Sequence, residues 1–208
     1  PTRFTRPKRE TKHAASLEYQ RLPELWQWLN HQPFSNTIKA AMRLAIITAH
    51  RASVVVHMRK AHYDRETGVW AIPAKPVASH DVGYMKSGRT FSISVPKGLR
   101  NDLELLIMAN SESEFVFTLD GYRPINAESL RRNFRAFAPI TTHGFRNTFK
   151  TWCLNNGIEQ FLADRYVDHA LQGLDKNYRR DDLFDQRALL ADRYFSFCIG
   201  LEWFRREH

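Results

Sequence analysis

Apolar side chains recur at three- and four-residue spacings along most of the chain, a pattern typical of helices that bury one face. The first run begins at Ser16 and ends at Pro33. The next, from Thr37 to about Thr48, is almost continuously apolar and predicts a buried helix. Further helices are predicted at residues 99–109, 127–136, 143–155 and 158–167, around Asp175 and from Phe184 onward.

Residues that cap helices stand at several of the predicted helix ends. Asn126 comes directly before the helix at 127–136, and Thr141 or Thr142 precedes the next helix. Short amide and hydroxyl side chains there accept hydrogen bonds from the unpaired N–H groups of the first turn. Gly157 is the residue type that commonly ends a helix, because glycine adopts a left-handed conformation without steric cost.

The pattern changes to short strands in the middle of the chain. Residues 68–73 (GVWAIP) and 90–96 (TFSISVP) are rich in β-branched and aromatic side chains and are bounded by Gly, Pro or polar residues. A turn is predicted at residues 86–89, and the stretch 74–84 is longer than a tight hairpin needs, which indicates an extended excursion. The fold class is therefore predicted as mainly α with a small antiparallel β-sheet (α+β).

The segment after Arg51 fits two kinds of structure. Ser53 can cap a second short helix that runs to about Arg59. The three valines at positions 54–56 are β-branched, however, and equally typical of a strand. The sequence leaves this choice open.

Length and charge narrow the class of protein. A chain of 208 residues is long enough for one domain with a sizeable core. Its 31 Lys and Arg against 22 Asp and Glu give a net charge of +9, which favours a polyanionic partner such as nucleic acid over a merely solvated basic surface. No long uncharged apolar run is present, so a membrane partner is not expected.

The two cysteines, Cys153 and Cys198, each stand among apolar or aromatic residues. They are predicted to be buried free thiols in a reducing compartment, and no Cys and His pair has zinc-site spacing. No metal site and no cofactor are predicted.

His143 and Arg146 are spaced three residues apart at the start of a predicted helix, so both side chains point to one face. Unpaired N–H groups and the positive end of the helix dipole point the same way, which suits a phosphate group. Taken alone, the pair could equally be two exposed surface residues without a function.

Four more polar residues complete an ordered set along the chain. Arg51 follows the buried helix, Lys86 stands at the turn between the strands, and His169 and Tyr178 follow the His-x-x-Arg pair. Tyr178 lies among charged neighbours in the sequence, a setting that does not suit a residue of the hydrophobic core. By itself it would be interpreted as a surface aromatic residue.

The order Arg51, Lys86, His143, Arg146, His169 and Tyr178 resembles that of the tyrosine recombinase (phage integrase) family. The residues VWAIPA at 69–74, and the strand that ends at Val95 and Pro96, are similar to integrases of satellite phages and genomic islands. The resemblance spans roughly Thr37 to Phe197, which is most of the chain.

The resemblance implies a role for each member of this set. Arg51 and Arg146 would bracket the scissile phosphate, and His143 would assist proton transfer. His169 would donate a hydrogen bond to a non-bridging oxygen, and Lys86 would protonate the leaving 5′-hydroxyl. Tyr178 would attack the phosphorus and form a 3′-phosphotyrosine. Paired guanidiniums suit such chemistry because they are planar, permanently charged donors.

The same resemblance implies a site-specific DNA recombinase that integrates or excises a mobile element. Its expected partners are double-stranded DNA attachment sites, three further copies of the chain in a DNA-bound homo-tetramer, and accessory DNA-bending or directionality factors. It would act in the cytoplasm, associated with the nucleoid. The alternatives are a type IB topoisomerase or a telomere resolvase with the same site, and a DNA-binding protein without catalysis.

Two domain boundaries follow from these expectations. Residues 1–15 are basic, contain two prolines and are expected to be a linker or DNA-contacting arm from an upstream DNA-binding domain. Residues 16–208 would be the catalytic domain. Its C-terminal stretch from Phe184 to Trp203, rich in Leu and Phe, is expected either to contact a neighbouring protomer or to pack within its own domain.

The sequence departs from the family pattern at two points, and the position of the lysine is open. Members usually have a carboxylate three residues after the first arginine, where this chain has Val54, and tend to have glycine just before that arginine, where His50 stands. His50 is expected to be structural or to face DNA. The lysine is expected to be Lys86, with Lys75, just after the first strand, as the alternative.

Overall fold

Most apolar runs of helical spacing form α-helices. The computed structural model describes residues 15–79, 81–168 and 183–201. Within them the helices are α1 (Leu22–His31), α2 (Asn36–Thr48), α3 (Ala52–Val56), α4 (Lys97–Ala109), α5 (Ala127–Phe137), α6 (Gly144–Asn155), α7 (Gln160–Tyr166) and α8 (Phe184–Cys198). The helical stretch expected around Asp175 lies outside the described residues.

Helix boundaries agree with the predictions to within a few residues, except at the first helix. There the chain makes a 3₁₀ turn at Tyr19–Arg21 before α1 begins. The open choice after Arg51 is decided in favour of a helix, because the valines belong to α3 and are buried. Tertiary burial therefore overrides the β-preference of these valines.

The predicted capping residues make the expected contacts. The Asn126 side chain accepts from the N–H of Glu128 at 2.8 Å. Of the two threonines, Thr141 makes the bond, its Oγ accepting from the N–H of Gly144 at 2.9 Å. Gly157 has φ 68°, and the N–H of Ile158 reaches back to the carbonyl of Cys153 at 3.0 Å, which is the Schellman pattern.

The sheet is antiparallel, in the order β1 (Tyr63–Asp64), β2 (Val69–Ile72) and β3 (Phe91–Ser94). Side chains alternate along β2 and β3, so that Trp70, Ile72, Phe91 and Ile93 are buried on one face. The strand β1 was not predicted, because two residues are too short to show alternation. The described residues between β2 and β3 form turns and bends, in agreement with the expected excursion.

An aromatic cluster joins the last three helices. Phe149 of α6 is stacked on Tyr166 of α7 at 4.3 Å between ring centroids and meets Tyr194 of α8 edge-on at 4.9 Å. Cys153 and Cys198 are buried free thiols, as predicted. The cluster fixes α6, and with it the first turn that carries His143 and Arg146.

The last described helix, α8, packs against β3, α1, α2 and α7 of its own chain. Its inner face, with Leu190, Ala191 and Tyr194, is buried in this intramolecular packing. Leu189 points outward and is 72% exposed. In the described residues no helix is long and apolar enough to cross a membrane.

Candidate active site

Arg51 lies in the turn between α2 and α3. Helix α2 ends at Thr48. The next residue, Ala49, adopts a left-handed conformation with φ 51°, and Arg51 has extended backbone angles just before α3. Its guanidinium is half-buried, and Nη2 donates to the carbonyl of Tyr84 at 3.0 Å. This bond attaches Arg51 to the loop that leads into β3.

Arg146 lies in the first turn of α6 and is held by two backbone carbonyls. Its Nε donates to Ala49 at 3.1 Å, and its Nη2 donates to Val167, just after α7, at 2.6 Å. The first bond joins Arg146 to the turn that carries Arg51. The two predicted arginines, which are 95 positions apart in the sequence, are thus connected through one carbonyl.

His143 completes a cluster of cationic and titratable groups. Burial, then the charge of Arg51, lowers the pKa of Arg146, while burial, then the charges of Arg146 and Arg51, lowers the pKa of the imidazole of His143. The carbonyl of Ala49, two residues before Arg51, accepts from Arg146, so the three groups lie in one region of the fold. Asp168 acts on both arginines in the opposite direction.

Neither arginine forms a salt bridge with a carboxylate in residues 15–79, 81–168 and 183–201. Other arginines of the same part of the chain do form ion pairs, such as Arg43 with Asp102 and Arg59 with Asp81. Arg51 and Arg146 donate to neutral carbonyls instead. Their charge is therefore left for an anion, and a phosphate group fits such paired donors.

The start of α6 is covered by the first described residues of the chain. A side-chain carbon on Gly144 would approach the carbonyl oxygen of Ala15 to 2.0 Å, so glycine is required for this close contact. The N–H of Thr141 donates to the same carbonyl at 3.1 Å. The first described residues thus pass beside His143. Gly144 makes room for them, and its position in His-Gly-Phe-Arg did not reveal this role.

Lys86 is exposed in the turn before β3, two residues after Tyr84, whose carbonyl binds Arg51. Lys75 is also exposed and lies near the start of the same excursion. The two ends of the excursion are paired, because the N–H of Met85 donates to the carbonyl of Pro73 at 2.9 Å. The structure therefore brings the segment that carries Lys86 to Arg51.

A buried carboxylate that sequence reasoning missed holds the excursion in place. Asp81 accepts from Nε and Nη2 of Arg59, each at 3.3 Å, and from the N–H of Gly83 at 2.8 Å. Its side chain is 2% exposed. Nothing in the local pattern distinguishes this aspartate from a solvated loop residue, since its partner lies 22 positions earlier.

His169 and Tyr178 lie outside the described residues. The last described residue before them, Asp168, acts electrostatically on both arginines and has a left-handed φ of 50°. The described residues contain no group of three His, Cys, Asp or Glu side chains that could hold a metal ion.

Comparison with known families agrees with this arrangement. The sequence profile of the phage integrase family matches residues 15–183, which is most of the chain and includes all six predicted site residues. The chain belongs to the phage integrase family. No curated protein sequence shows significant similarity to it.

Solved structures of integrases and recombinases share the fold of this integrase-family chain. An integrase from mycobacterium phage Brujita has a TM-score of 0.62 at 16% identity over 99% of this chain. A lambda integrase dimer bound to a COC′ core site has a TM-score of 0.58 at 16% identity over 85%, and XerA recombinase 0.56 at 15% over 89%. The chain spans 64% of the first two and 66% of the third.

The two departures from the integrase pattern now have structural explanations. Val54 is buried in α3, and backbone carbonyls rather than a carboxylate at that position bind the arginines. The left-handed residue of the turn is Ala49, so the position that favours glycine is one residue earlier than His50. His50 is 2% exposed, which excludes a side chain facing DNA and leaves the structural interpretation.

His50 makes the integrase fold sensitive to acid. Burial, then the charge of Arg146, lowers its pKa from 6.5 to about 3. In the unfolded chain His50 binds a proton near pH 6.5, whereas in the native state it stays neutral. The free energy of unfolding is therefore highest above pH 6.5 and decreases as the pH falls towards 3. The loss is about 1.4 kcal/mol per pH unit within this window.

We therefore expect the free energy of unfolding of the native chain to fall by about 2 kcal/mol through His50 between pH 7 and pH 5. Denaturant titrations at a series of pH values measure it. His50→Phe should remove this part of the slope, whereas His31→Phe, at an exposed histidine of α1, should leave it unchanged. Equal slopes in all three proteins would contradict the buried, neutral state of His50.

Proposed function

We infer that residues 16–208 form the catalytic domain of a site-specific DNA recombinase, which integrates or excises a mobile element by cutting and rejoining DNA. The observation that carries this proposal is the cluster of Arg51, Arg146 and His143. Two guanidiniums from separate elements are fixed by neutral carbonyls, and neither forms a salt bridge with a carboxylate of the described residues. Membership of the phage integrase family supports the same activity.

The proposed reaction is a transesterification at a DNA phosphodiester. The phenol oxygen of Tyr178 attacks phosphorus, the bond to the 5′-oxygen breaks, and a 3′-phosphotyrosine forms. The leaving oxygen takes a proton from Lys86. Because the phosphotyrosine conserves a phosphodiester bond, a 5′-hydroxyl of a second strand reverses the step and joins the DNA without an external energy source.

Arg51 and Arg146 act on the phosphate in this mechanism. Negative charge spreads over the equatorial oxygens during phosphoryl transfer, and fixed donors that do not reorganise stabilise it most effectively. The carbonyls of Tyr84, Ala49 and Val167 take up one or two N–H groups of each guanidinium and thereby orient the rest. The proposed role of His169 is one further hydrogen bond to a non-bridging oxygen.

His143 is the proposed proton acceptor for the phenol of Tyr178. A phenol has an ordinary pKa of about 10, so its attack requires a base. Burial and the two arginine charges lower the pKa of His143 below 6.5, which keeps the imidazole neutral and able to accept a proton near pH 7. Binding of the phosphate offsets the arginine charges and makes the imidazole a stronger base at the moment of reaction.

The proposed partner is duplex DNA that contains an attachment site, bound by a homo-tetramer. The net charge of +9 is consistent with a polyanion, and lambda integrase and Tn1549 transposon integrase are relatives of known structure bound to a COC′ core site and to transposon right end DNA. The exposed Leu189 on α8 is the proposed contact to a neighbouring protomer. Accessory bending factors would act on the same complex.

Trapping of the covalent intermediate tests the proposal. The chain is incubated with a pool of 5′-labelled duplexes that have a randomised core and a nick, so that the short strand released by cleavage diffuses away. A labelled band of protein size on a denaturing gel is the expected result, and sequencing of the trapped strands identifies the site. Absence of any adduct at saturating protein would contradict catalysis and favour a DNA-binding protein without it.

Paired and supercoiled substrates separate recombination from related reactions. A recombinase joins two duplexes that carry the trapped site, and its rate depends on the presence of both. A type IB topoisomerase relaxes a supercoiled plasmid without a second site, and a telomere resolvase closes duplex ends into hairpins. Relaxation or hairpin closure without strand exchange would overturn the recombinase proposal while leaving the chemistry intact.

Lys86→Ala is expected to slow cleavage by roughly 10²- to 10⁴-fold, since the leaving 5′-oxygen then departs without a proton donor. Lys75→Ala should leave the rate within about threefold, because only the segment of Lys86 is bonded to Arg51. A substrate with sulfur in place of the 5′-bridging oxygen should restore the cleavage rate of Lys86→Ala, since a thiolate leaves without being protonated. If Lys75→Ala cleaves more slowly than Lys86→Ala, Lys75 is the proton donor to the leaving 5′-oxygen.

A further inference from the structure

The turn between α2 and α3 is connected to both members of the guanidinium pair. Arg51 belongs to it, and the carbonyl of Ala49 accepts the Nε of Arg146 at 3.1 Å. The turn has no regular hydrogen-bond ladder, and Ala49 is left-handed within it. Whatever fixes this turn therefore fixes the relative positions of the two guanidiniums.

His50 is one of the side chains that connect the turn to the rest of the fold. Its Nδ1 donates to the carbonyl of Thr48, the last residue of α2, at 2.7 Å. The ring is stacked on Phe91, the first residue of β3, with centroids 5.5 Å apart and planes 28° apart. The imidazole thus connects the end of α2 to the sheet from inside the turn.

Arg187 of α8 also holds Phe91. Its guanidinium carbon lies 4.6 Å from the centre of the Phe91 ring, and its Nη1 donates to the carbonyl of Ser92 at 2.8 Å. Both contacts immobilise the start of β3. The ring of His50 therefore rests on a rigid support rather than on a loop.

We propose that His50 is a positioning residue for the reaction: its hydrogen bond to Thr48 sets the turn that places Arg51 and Arg146 around the scissile phosphate, while its stack on Phe91 stabilises the fold. His50 does not contact the substrate in this role. The effect on cleavage rests on the proposed function, whereas the alignment of Arg146 on Ala49 exists without DNA.

A purely structural role does not account for a histidine here. Nδ1 donates to Thr48, so Nε2 carries a lone pair, and this buried atom has no hydrogen-bond partner in the part of the chain that the structure describes. An unpaired buried acceptor destabilises the folded state. A phenylalanine would remove it but would leave the carbonyl of Thr48 without its donor, so stability alone does not favour the histidine.

The imidazole positions without exchanging protons. The guanidiniums of Arg146, Arg51 and Arg187 all act electrostatically on the ring, and together with burial they keep it neutral throughout the range in which DNA cleavage would be measured. The imidazole acts through its hydrogen bond to Thr48. A replacement at position 50 that removes this bond should therefore slow cleavage and misalign Arg146 without changing the shape of the pH profile.

Two variants separate the hydrogen bond from the ring. His50→Asn places an amide N–H where Nδ1 stood and loses the stack, whereas His50→Phe keeps a stacked ring and loses the donor. We expect His50→Asn to be less stable in denaturant but to form the DNA adduct within about threefold of the native rate. His50→Phe should be about as stable as the native chain but roughly 10- to 100-fold slower at saturating DNA, because its guanidiniums are misaligned.

A measurement without DNA tests the positioning itself. Hydrogen exchange at Arg146 Nε, followed by NMR and assigned with Arg146→Lys, should be slow in the native chain and in His50→Asn, and fast in His50→Phe. His31→Phe is the matched control, since the Nδ1 of His31 also meets a backbone carbonyl, that of Gln27 at 2.7 Å, far from the turn. It should match the native chain in exchange and in rate.

Three results would overturn the proposal. Slow exchange at Arg146 Nε together with native cleavage in His50→Phe would show that the donor is not needed. Fast exchange in a folded His50→Asn would show that the donor is not sufficient, and this test stands even if His50→Phe does not fold. A pH profile that loses an ionisation in His50→Asn would make His50 a proton carrier. If the native chain forms no adduct while exchange follows the expected order, the recombinase proposal fails and the positioning of Arg146 survives.

Discussion

Tyr178→Phe is expected to abolish the covalent DNA adduct, with a fall in cleavage rate of roughly 10⁶-fold to below detection, because a phenyl ring has no oxygen to attack phosphorus. DNA binding should be unchanged, since the loss of one hydroxyl removes no cation. The labelled nicked duplexes described above measure the adduct, and a gel-shift titration of the same duplexes measures binding.

Other tyrosines serve as controls and as rival nucleophiles. Tyr122 is 81% exposed, and Tyr122→Phe should form the adduct at the native rate. Tyr166 is not available for attack, because its hydroxyl donates to the carbonyl of Ile47 at 2.8 Å and burial raises its pKa. An adduct that persists in Tyr178→Phe would assign the nucleophile elsewhere, and peptide mapping of the adduct would identify it.

Arg146→Lys is expected to slow cleavage by about 10³-fold at saturating DNA. A lysine has a single ammonium group in place of the planar fork that reaches Ala49, Val167 and a phosphate at once. The positive charge is retained, so the affinity for DNA and its dependence on salt should change little. Single-turnover adduct formation and binding titrations across a salt series measure the two effects separately.

The same substitution should also cost about 1–3 kcal/mol of stability, because a buried carbonyl is left without its donor. Arg193→Lys is the matched control: the Nη2 of Arg193 donates to the carbonyl of Asn156 at 3.2 Å, away from the cluster. It should lower stability without slowing cleavage. If both variants cleave at the native rate, the guanidinium of Arg146 is structural and the phosphate is bound elsewhere.

Much of the fold follows from local patterns that need no tertiary information. Helical spacing of apolar residues located most of the helices, and Asn126 and Gly157 marked two of their ends correctly because capping depends on the backbone of one turn. Two features escaped. The strand β1 is too short to show alternation, and the valines of α3 fit both structures until their burial is known.

The candidate site divides in the same way. The His-x-x-Arg spacing indicated a shared helix face for His143 and Arg146, and the order of the six polar residues indicated the family that the profile confirms. The roles of Asp81 and Gly144 had no sequence signal. Their partners, Arg59 and Ala15, lie 22 and 129 positions away, so the contacts exist only after the chain has folded.

The sequence by itself determined the helical class, the single small sheet, the basic charge and the family, because each depends on periodicity, composition or the order of residues. Only the tertiary structure decided that Ala49 rather than His50 is the left-handed residue, that His50 is buried against Phe91, and that one carbonyl joins the turn of Arg51 to Arg146. Those facts depend on hydrogen bonds and packing between distant segments, which no local pattern encodes.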